Sequence, residues 1–290
     1  MTATVLVTGV GGPAGRAGAA YFAQRGYRVV GTDVRVVESA ATEFRVVPLA
    51  RHPGYTAALL ALAVAERVTL VVPTVTEELP IVARLRGQLH ERGIAVAISA
   101  PPGIDIANDK LLTARTLTGA GVAAPVTFPG STPGLEVAQL LTLPILSKPR
   151  FGRGGRGVLV HRTLTDLERA GADEVVWQAF LPGEEFDVNL FAERDGRVPA
   201  VVVLRKTGLK EGVVGNATGV ERADRPDIAD LAAAAARALR LEGPLDIDIR
   251  VGLDGKPAVL EVNARLGANV LTAREVLDAL DDAWRTGRCD

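Results

Sequence analysis

The sequence is poor in the residues on which disulfide and thiolate chemistry depend. Its 290 residues contain one cysteine, Cys289, so no disulfide can form within the chain, and this usage is typical of a reducing compartment. The start, MTATVLVTG, lacks the basic segment of a secretory leader. No apolar run approaches the roughly 18 residues of a membrane span. We therefore expect a cytoplasmic protein with no membrane partner.

An excess of charge of either sign is absent as well. The chain has 33 basic and 34 acidic residues, which leaves no electrostatic argument for binding nucleic acid or a membrane surface. Lysine is scarce, because arginine supplies most of the positive charge. Lysine carries a compact ammonium and so suits particular sites, although a biased genome would give the same ratio. The lysines are Lys110, Lys148, Lys206, Lys210 and Lys256.

The most informative stretch of the chain is LDIDIRVGLDGKPAVLEVNAR, residues 245–265. Two apolar runs flank Asp254-Gly255, and an Asp-Gly pair in this position predicts a hairpin with a two-residue type I′ turn. Side chains alternate between the two faces of a strand. The buried face of the hairpin would then carry four apolar residues, which are Ile247, Ile249, Leu260 and Val262.

The other face of this hairpin predicts a metal site. The two-residue turn places Asp248 directly across from Glu261, and Asp246 across from Asn263. Like charges in directly opposed positions destabilise a sheet, so the two carboxylates need a cation beside them. Mg²⁺ prefers oxygen ligands and binds one or two carboxylates together with phosphate oxygens. The hairpin therefore indicates a platform for a magnesium nucleotide, and the alternative is a solvated polar face.

The N-terminal third alternates short apolar strands with helices, which predicts a parallel sheet covered on both faces. A glycine-rich turn follows the strand Val5–Thr8, and Asp33 follows the next strand. This pattern resembles the dinucleotide fingerprint and suggests an NAD(P)-dependent reductase, but a glycine turn also simply lets a strand enter a helix tightly. Ligands of such sheets lie at the carboxyl ends of the strands, where Gly9–Gly15 and Thr74–Glu77 are expected.

The middle of the chain contains a second glycine-rich segment. Pro101-Pro102-Gly103 interrupts the alternating pattern and predicts a domain boundary. Further on, LPILSKPRFGRGGRGVLVH places a strand that ends in Lys148 before a loop with four glycines and three arginines. Glycines leave backbone N–H groups accessible, so this loop could wrap phosphates, although it lacks the Walker pattern. A mobile surface turn is the alternative.

Three motifs, in this order, resemble the ATP-grasp superfamily. They are the NDK segment at 108–122, the SKP and glycine segment at 147–158, and Asp248 followed by EVNAR at 261–265. The likeness is greatest to the ATP-grasp half-domain of the carbamoyl-phosphate synthase large subunit, and it extends over nearly the whole chain. It implies an α/β protein with a Rossmann-like (pre-ATP-grasp) parallel sheet at 1–103. A small ATP-grasp subdomain would occupy 104–180, and a large α+β subdomain with the magnesium platform 181–290.

The resemblance also implies roles for the residues that match family motifs. The implied nucleotide ligands are Lys110, Lys148, Gly154, Gly155, Gln178, Ala179, Leu181 and Glu185. The implied metal ligands are Asp248, Glu261 and Asn263. The implied catalytic residues, near the transferred phosphoryl group and the acceptor, are Lys148, Arg205 and Arg265. Gln178 stands where family members often have glutamate.

The activity that the resemblance implies is that of an ADP-forming ligase. ATP with two Mg²⁺ ions, or with Mn²⁺, would phosphorylate a carboxylate substrate to an acylphosphate, and an amine or thiol would then displace phosphate. Such phosphoryl transfer needs mainly positioning and charge neutralisation, and no protein nucleophile is evident. No tyrosine has a lysine four residues later, as a short-chain reductase would require. An NAD(P)-dependent reductase and a non-catalytic nucleotide-binding protein stay open, as does a homodimer.

Overall fold

The computed structural model describes residues 3–152, 154–168 and 174–289, which form helices packed on one parallel and two antiparallel sheets. Short 3-10 turns, Thr76–Glu78 and Val270–Ala273, precede two of the helices. No helix in the described ranges has both the length and the apolar character to span a bilayer. The helices are α1 (Pro13–Gln24), α2 (Tyr55–Ala65), α3 (Leu79–His90), α4 (Pro101–Asn108), α5 (Lys110–Gly119), α6 (Gly134–Leu140), α7 (Leu164–Glu168), α8 (Pro226–Ala238) and α9 (Arg274–Arg285).

The first sheet is parallel, as the alternating pattern predicts. Its strands are β1 (Thr4–Val7), β2 (Arg28–Asp33), β3 (Glu43–Val46), β4 (Leu70–Val72) and β5 (Ala95–Val96). They lie in the order β3-β2-β1-β4-β5. The central strands are buried on both faces, because α1 packs on one face while α2 and α3 pack on the other. The glycine turn and the Thr74–Glu77 segment follow β1 and β4 and so meet at the carboxyl edge.

The Pro-Pro-Gly break is not a loop in the structure. Pro101 and Pro102 instead occupy the first positions of α4, where a helix has no use for a backbone N–H donor. A Cβ at Gly103 would lie 2.9 Å from Leu241 Cδ2, so this helix packs closely against the C-terminal half of the chain. The segment interrupts the alternation of strands and helices, as predicted, because α4 and α5 follow each other with no strand between them, and a domain boundary at this point stays a prediction.

The second sheet is antiparallel and has its own small core. Its strands are β6 (Thr127–Pro129), β7 (Ile145–Pro149), β8 (Leu159–His161) and β9 (Val175–Ala179), in the order β6-β9-β7-β8. Trp177 and Ile145 pack with Val137 and Leu167 from the helices that cover one face. Alternation therefore turns Lys148 and Gln178 to the opposite face, which looks onto the cleft.

The third sheet is antiparallel and carries the predicted metal platform. Its strands are β10 (Glu185–Ala192), β11 (Ala200–Leu209), β12 (Ala217–Arg222), β13 (Gly243–Val251) and β14 (Pro257–Asn263), in the order β12-β11-β10-β13-β14. Helix α8 covers one face with an apolar stripe. The other face is apolar where α9 packs on it and polar beyond that helix. Strand β12 has no counterpart in the sequence prediction.

The β13–β14 hairpin has the predicted register at its carboxylates but a different turn. Asp248 pairs with Glu261, as predicted. Nearer the turn, however, the Gly252 amide bonds to Lys256 O at 2.8 Å, so the loop has three residues, 253–255. Only its glycine, Gly255, has a positive φ, of 75°. A type I′ turn would need two such residues, so the two-residue turn is wrong.

A β-bulge at Leu260 compensates for the longer turn. Ile249 pairs with Val259, whereas Asp248 pairs with Glu261, which leaves Leu260 as the extra residue. Val259 takes the buried position and is 2 % exposed, so the prediction that Leu260 lies on the buried face is wrong. The bulge frees the Leu260 carbonyl from the strand pairing. That carbonyl is available to a side chain of the neighbouring sheet.

Candidate active site

Lys206 joins two carboxylates that come from separate strands. Its Nζ lies 2.6 Å from Glu185 Oε1 on β10 and 2.6 Å from Asp248 Oδ1 on β13. All three side chains are mostly buried, and an ion pair in such surroundings is screened less than one at the surface. None of the roles that the sequence implies belongs to Lys206. Lysine is scarce in this chain, and that scarcity is the signal by which Lys206 could have been identified as a site residue.

Arg205, which the resemblance places near the reacting groups, lies on the other face of β11. Its guanidinium pairs with Glu184, at 2.9 Å, and with Glu221. Neighbouring residues of a strand point to opposite faces, so Arg205 and Lys206 cannot both face the cleft. The structure therefore does not bring Arg205 to the other predicted site residues. Lys206, not Arg205, is the residue of β11 that contacts Glu185 and Asp248 in the cleft.

Lys110 and Lys148 approach the same carboxylates from the opposite side of the cleft. Lys110 Nζ lies 3.5 Å from Glu261 Oε2 and donates to Gly152 O at 2.9 Å. Lys148 Nζ donates to Leu260 O, the carbonyl freed by the bulge, at 3.2 Å. Burial lowers the pKa of Lys148 to about 8, and Lys110 adds to this effect while Glu261 opposes it. Both side chains therefore lie in the cleft in positions from which they can bind a further anion.

Asp109 and Arg150 fix these two lysines relative to each other. Asp109 caps α5, because its Oδ1 accepts the Leu111 and Leu112 amides at 3.0 and 3.1 Å. Arg150 Nε lies 2.9 Å from both oxygens of the same carboxylate, and Nη2 lies 2.6 Å from Oδ2. Lys110 follows Asp109 and Lys148 precedes Arg150 by two residues. The start of α5 and the end of β7 are therefore locked together.

The cross-strand pair of Asp248 and Glu261 has the composition of a magnesium site. Burial raises the pKa of Asp248 to about 7, although Lys206 opposes the shift. Burial acts in the same sense on Glu261, but Lys110, Lys148 and Lys206 together lower its pKa. Among the described residues no group of three or more His, Cys, Asp or Glu side chains is arranged to hold a metal. Asp248 and Glu261, opposite each other on the hairpin, and Asn263, two positions beyond Glu261, offer the oxygen ligands that Mg²⁺ prefers, and phosphate and water can complete its coordination.

The last strand of the second sheet, β9, contains an unpaired acceptor just before the linker to the third sheet. Gln178 Nε2 donates to Thr127 Oγ1 at 3.0 Å, while Gln178 Oε1 is buried and has no partner in the described part of the chain. Ala179 and Leu181 follow and are partly exposed. Glu185, at the start of β10, binds Lys206 and lies 3.3 Å from Arg250 Nη1. A ligand that offers an N–H group would satisfy the orphaned Gln178 oxygen.

The glycine-rich loop packs against the turn between β11 and β12. Gly154 and Gly155 have positive φ values of 70° and 69°. A Cβ at Gly155 would lie 2.5 Å from Gly215 Cα, so the two backbones touch and only glycine fits. Arg250 Nη1 holds the same turn by donating to Val213 O at 2.7 Å. Arg153 of the loop lies outside the described residues.

Arg265 extends the charged cluster toward the parallel sheet. Its Nη1 lies 2.8 Å from Asp246 Oδ2 and 2.7 Å from Leu266 O. Asp187 lies beside Asp246, and burial together with that neighbouring charge raises the pKa of Asp187 well above its usual range. Arg265 therefore balances one buried carboxylate and keeps further donors on its guanidinium.

A cavity of about 550 Å³ lies beyond Arg265, at the carboxyl edge of the parallel sheet. The Gly12–Gly15 turn and Thr74 line one side, and Gly154, Asn216 and Arg265 line the other. Asp33, the acid of the dinucleotide pattern, also lines this cavity. Its two oxygens accept the Gly11 amide, at 2.9 Å, and the Val34 amide, at 2.7 Å.

Comparison with known proteins identifies the family. A family model described as an ATP-grasp domain matches residues 107–269, more than half of the chain. The chain therefore belongs to the ATP-grasp family. The matched range contains both Lys110 and Lys148 and the predicted metal platform, in agreement with the motifs found in the sequence.

Individual relatives are similar over part of their length. Phosphoribosylamine–glycine ligase from Synechocystis sp. is 28% identical over 70% of this chain and 54% of its own length. The carbamoyl phosphate synthase large chain from Pyrococcus furiosus is 24% identical over 66% of this chain and 20% of its own. The chain thus spans about half, or less, of these relatives. The L-amino acid ligase from Bacillus licheniformis has the same fold, with a TM-score of 0.71 at 20% identity over 95% of this chain and 69% of its own.

Proposed function

We propose that this chain is an ATP-dependent, ADP-forming ligase that activates a carboxylate as an acylphosphate and joins it to an amine or similar nucleophile such as a thiol. One observation carries this proposal. Lys110, Lys148 and Lys206 converge on Glu261, Leu260 O and the Glu185–Asp248 pair, within one cleft. Family membership supports the same chemistry, because the ATP-grasp relatives named above are ligases.

The charges of this cleft support a magnesium nucleotide rather than a free anion. The three lysines face three carboxylates, so the cleft is close to neutral by itself. ATP brings further negative charge, which two Mg²⁺ ions, or Mn²⁺ in their place, would neutralise. When bound, the metal also orients the transferred phosphate. Asp248, Glu261 and Asn263 would hold it.

The chain's own residues would perform the remaining tasks. Lys110 and Lys148 would bind the phosphates, and the glycine loop at 154–155 would exclude water from the acylphosphate. Gln178 Oε1 would accept an N–H of adenine, with Ala179 and Leu181 beside the base, and Glu185 would hold the ribose. Lys206 and Arg265 would stabilise charge on the transferred phosphoryl group and the acid. Arg205 stays a prediction of the resemblance that lacks this geometric support.

We propose that the chain consists of three units that share these tasks. Residues 1–103 would form a Rossmann-like pre-ATP-grasp domain, 104–180 the small ATP-grasp subdomain and 181–290 the large one. The nucleotide would bind between the last two, and the small-molecule acid and amine next to the first. The protein would work in the cytoplasm without nucleic acid or membrane, and a homodimer is compatible with these assignments.

A trapping experiment tests the proposed function. The purified chain is incubated with ATP, Mg²⁺, hydroxylamine and a panel of amino acids, hydroxy acids and other small carboxylic acids. We expect acid-dependent ADP release together with a hydroxamate, because hydroxylamine captures an acylphosphate. Binding of ATP without ADP release from any acid would favour a non-catalytic nucleotide-binding protein. Binding of NAD(P)H in preference to ATP would favour the reductase.

A further inference from the structure

The cavity beside Arg265 is built from two different parts of the chain. Thr8, Thr32 and Thr74 line it from the carboxyl edge of the parallel sheet, and Asn216 and Arg265 line it from the ATP-grasp side. Its volume, about 550 Å³, lies within the range of small-molecule sites, roughly 300–1,000 Å³. Which ligand it suits depends on the hydrogen-bonding groups in its wall that the protein leaves unused.

The acidic side chains of the wall are occupied by donors of the protein itself. Both oxygens of Asp33 accept backbone amides, as described above. Glu78 is buried and accepts the Thr74 and Val75 amides at 3.1 and 3.0 Å, and also the hydroxyl groups of Thr8 and Tyr55. Glu77 has a partner in the protein as well. These hydrogen bonds within the protein fix the acids in the wall.

The unused capacity consists of hydrogen-bond donors. Helix α1 begins at this wall. Its N-cap residue, Gly12, has no side chain that could accept the first amides of the helix, and the first turn contains no acidic residue. The Arg51 guanidinium is exposed at the wall and has no partner among the described residues. Thr32 is 0 % exposed, and its Oγ1 finds no hydrogen-bond partner within the described ranges. A helix N-terminus, an arginine and a hydroxyl together favour an anion.

Arg265 offers a second set of donors across the cavity. Asp246 and Leu266 O use its Nη1, which leaves Nε and Nη2 without a partner in the described part of the chain. This group faces the glycine loop, where the proposed phosphoryl transfer would occur. The cavity thus has a cationic group on the ATP-grasp side and a separate donor cluster on the parallel-sheet side. Apolar side chains, Val47, Leu49 and Tyr55, complete the wall.

We infer that the acid substrate of the proposed ligase is dianionic: its reacting carboxylate pairs with Arg265, and a second carboxylate or phosphate group binds the α1 N-terminus, Thr32 and Arg51. This inference rests on the proposed function. The carbon body of the substrate lies against the apolar wall. Specificity for the acid is therefore set by the N-terminal sheet, whereas the nucleotide is held by the other two sheets.

Calorimetric titration of the full chain tests this inference with defined probes. The chain is first saturated with Mg·ADP, and binding of succinate, glutarate, adipate and 3-phosphonopropionate is compared with that of butyrate, valerate, hexanoate and propionate, respectively. We expect at least one dianion to bind about tenfold more tightly than the monoacid of equal carbon number, which corresponds to ~1.4 kcal/mol. Thr32→Val and Arg51→Ala should each reduce this preference at least threefold. Arg35→Ala removes an exposed arginine outside the cavity wall and should keep the preference.

The possible outcomes separate the inference from the function on which it rests. Failure of the wild-type chain to bind Mg·ADP would overturn the proposed function and the inference together. Normal Mg·ADP binding with no bound probe, or with monoacids bound as tightly as dianions, would overturn the inference alone. Survival of the dianion preference in both Thr32→Val and Arg51→Ala would do the same. Arg51 is exposed, so its variant should fold even if Thr32→Val does not.

Discussion

Lys206 Nζ lies 2.6 Å from Asp248 Oδ1, and this contact defines which face of β11 belongs to the site. A lysine so placed neutralises a carboxylate that would otherwise repel Glu185 and Glu261. Arg205, one residue earlier, is bound to surface acids on the other face. The two adjacent cations therefore have different roles, which substitution can separate.

The first prediction compares these two cations. Lys206→Ala should lower the rate of acid-dependent ADP release by about 10²–10³-fold, the range for loss of one electrostatic group at a reacting centre. Arg205→Ala should change the rate less than about threefold, because its guanidinium lies on the opposite face of β11, where it forms exposed ion pairs with Glu184 and Glu221. Coupled-enzyme assays of ADP release measure both. A large loss in Arg205→Ala with normal activity in Lys206→Ala would reverse the assignment.

The second prediction concerns Lys148. Lys148→Ala should raise the Michaelis constant for ATP at least about tenfold, equivalent to ~1.4 kcal/mol of binding, because the buried ammonium lies beside the metal platform. Lys256→Ala is the matched control, since that lysine is exposed and, among the residues that the structure describes, pairs only with Asp254, at 3.8 Å. Steady-state kinetics over a range of ATP concentrations distinguish the two. An unchanged constant in Lys148→Ala would remove this residue from the site.

The third prediction concerns the glycine loop. Its backbone touches the β11–β12 turn through Gly155 and Gly215, and it holds Lys110 through the Gly152 carbonyl. Nucleotide bound on Lys110 and Lys148 should therefore slow hydrogen exchange of the 154–158 amides, at least about threefold, whereas amides of α8 should not change. Exchange mass spectrometry with and without Mg·ADP measures this. Equal exchange in both samples, or low crystallographic B-factors for the loop without nucleotide, would contradict a closing loop.

The fourth prediction concerns the Asp109–Arg150 pair. Burial would raise the pKa of Asp109, but the bonds from Arg150 and the α5 amides outweigh it, so the pKa is lowered. A depressed folded-state pKa stabilises the protein above the unfolded value, about 4, and this stabilisation is lost as pH falls through the folded value. Asp109→Asn should therefore cost ~1–3 kcal/mol at pH 7 and progressively less below pH 4. Denaturant unfolding across this range measures the difference, and a difference independent of pH would contradict it.

Local rules predicted much of the fold from the sequence. The alternation of strands and helices gave the parallel sheet, and the Asp-Gly pair located the hairpin that carries Asp248 and Glu261. The predicted pairing of these two carboxylates is correct, although the two-residue turn from which it was predicted is wrong. A three-residue turn shifts the pairing by one position, and the bulge at Leu260 shifts it back. Alternation and turn chemistry alone contain no signal for a bulge.

Tertiary context decided the points that the sequence did not predict. Lys206 and Arg205 carry the same positive charge, and only the register of β11 shows which one faces the cleft. Pro101 and Pro102 marked the end of the alternating pattern, but only the structure shows that they begin a helix, α4, which packs against Leu241. The cavity beside Arg265 combines residues more than 200 positions apart, from Thr8 to Arg265, which no local pattern could connect.

Magnesium-dependent ATP binding by the wild-type chain and Glu261→Ala tests the central claim, that the Asp248–Glu261 pair holds the metal nucleotide, most directly. The wild-type chain should bind ATP more tightly with Mg²⁺ than without it. Glu261→Ala should lose this dependence and its ADP release while keeping the wild-type thermal midpoint within a few degrees. Glu221→Ala, on the exposed edge strand, serves as control and should keep both. Magnesium-dependent binding and normal ADP release in Glu261→Ala would contradict the account.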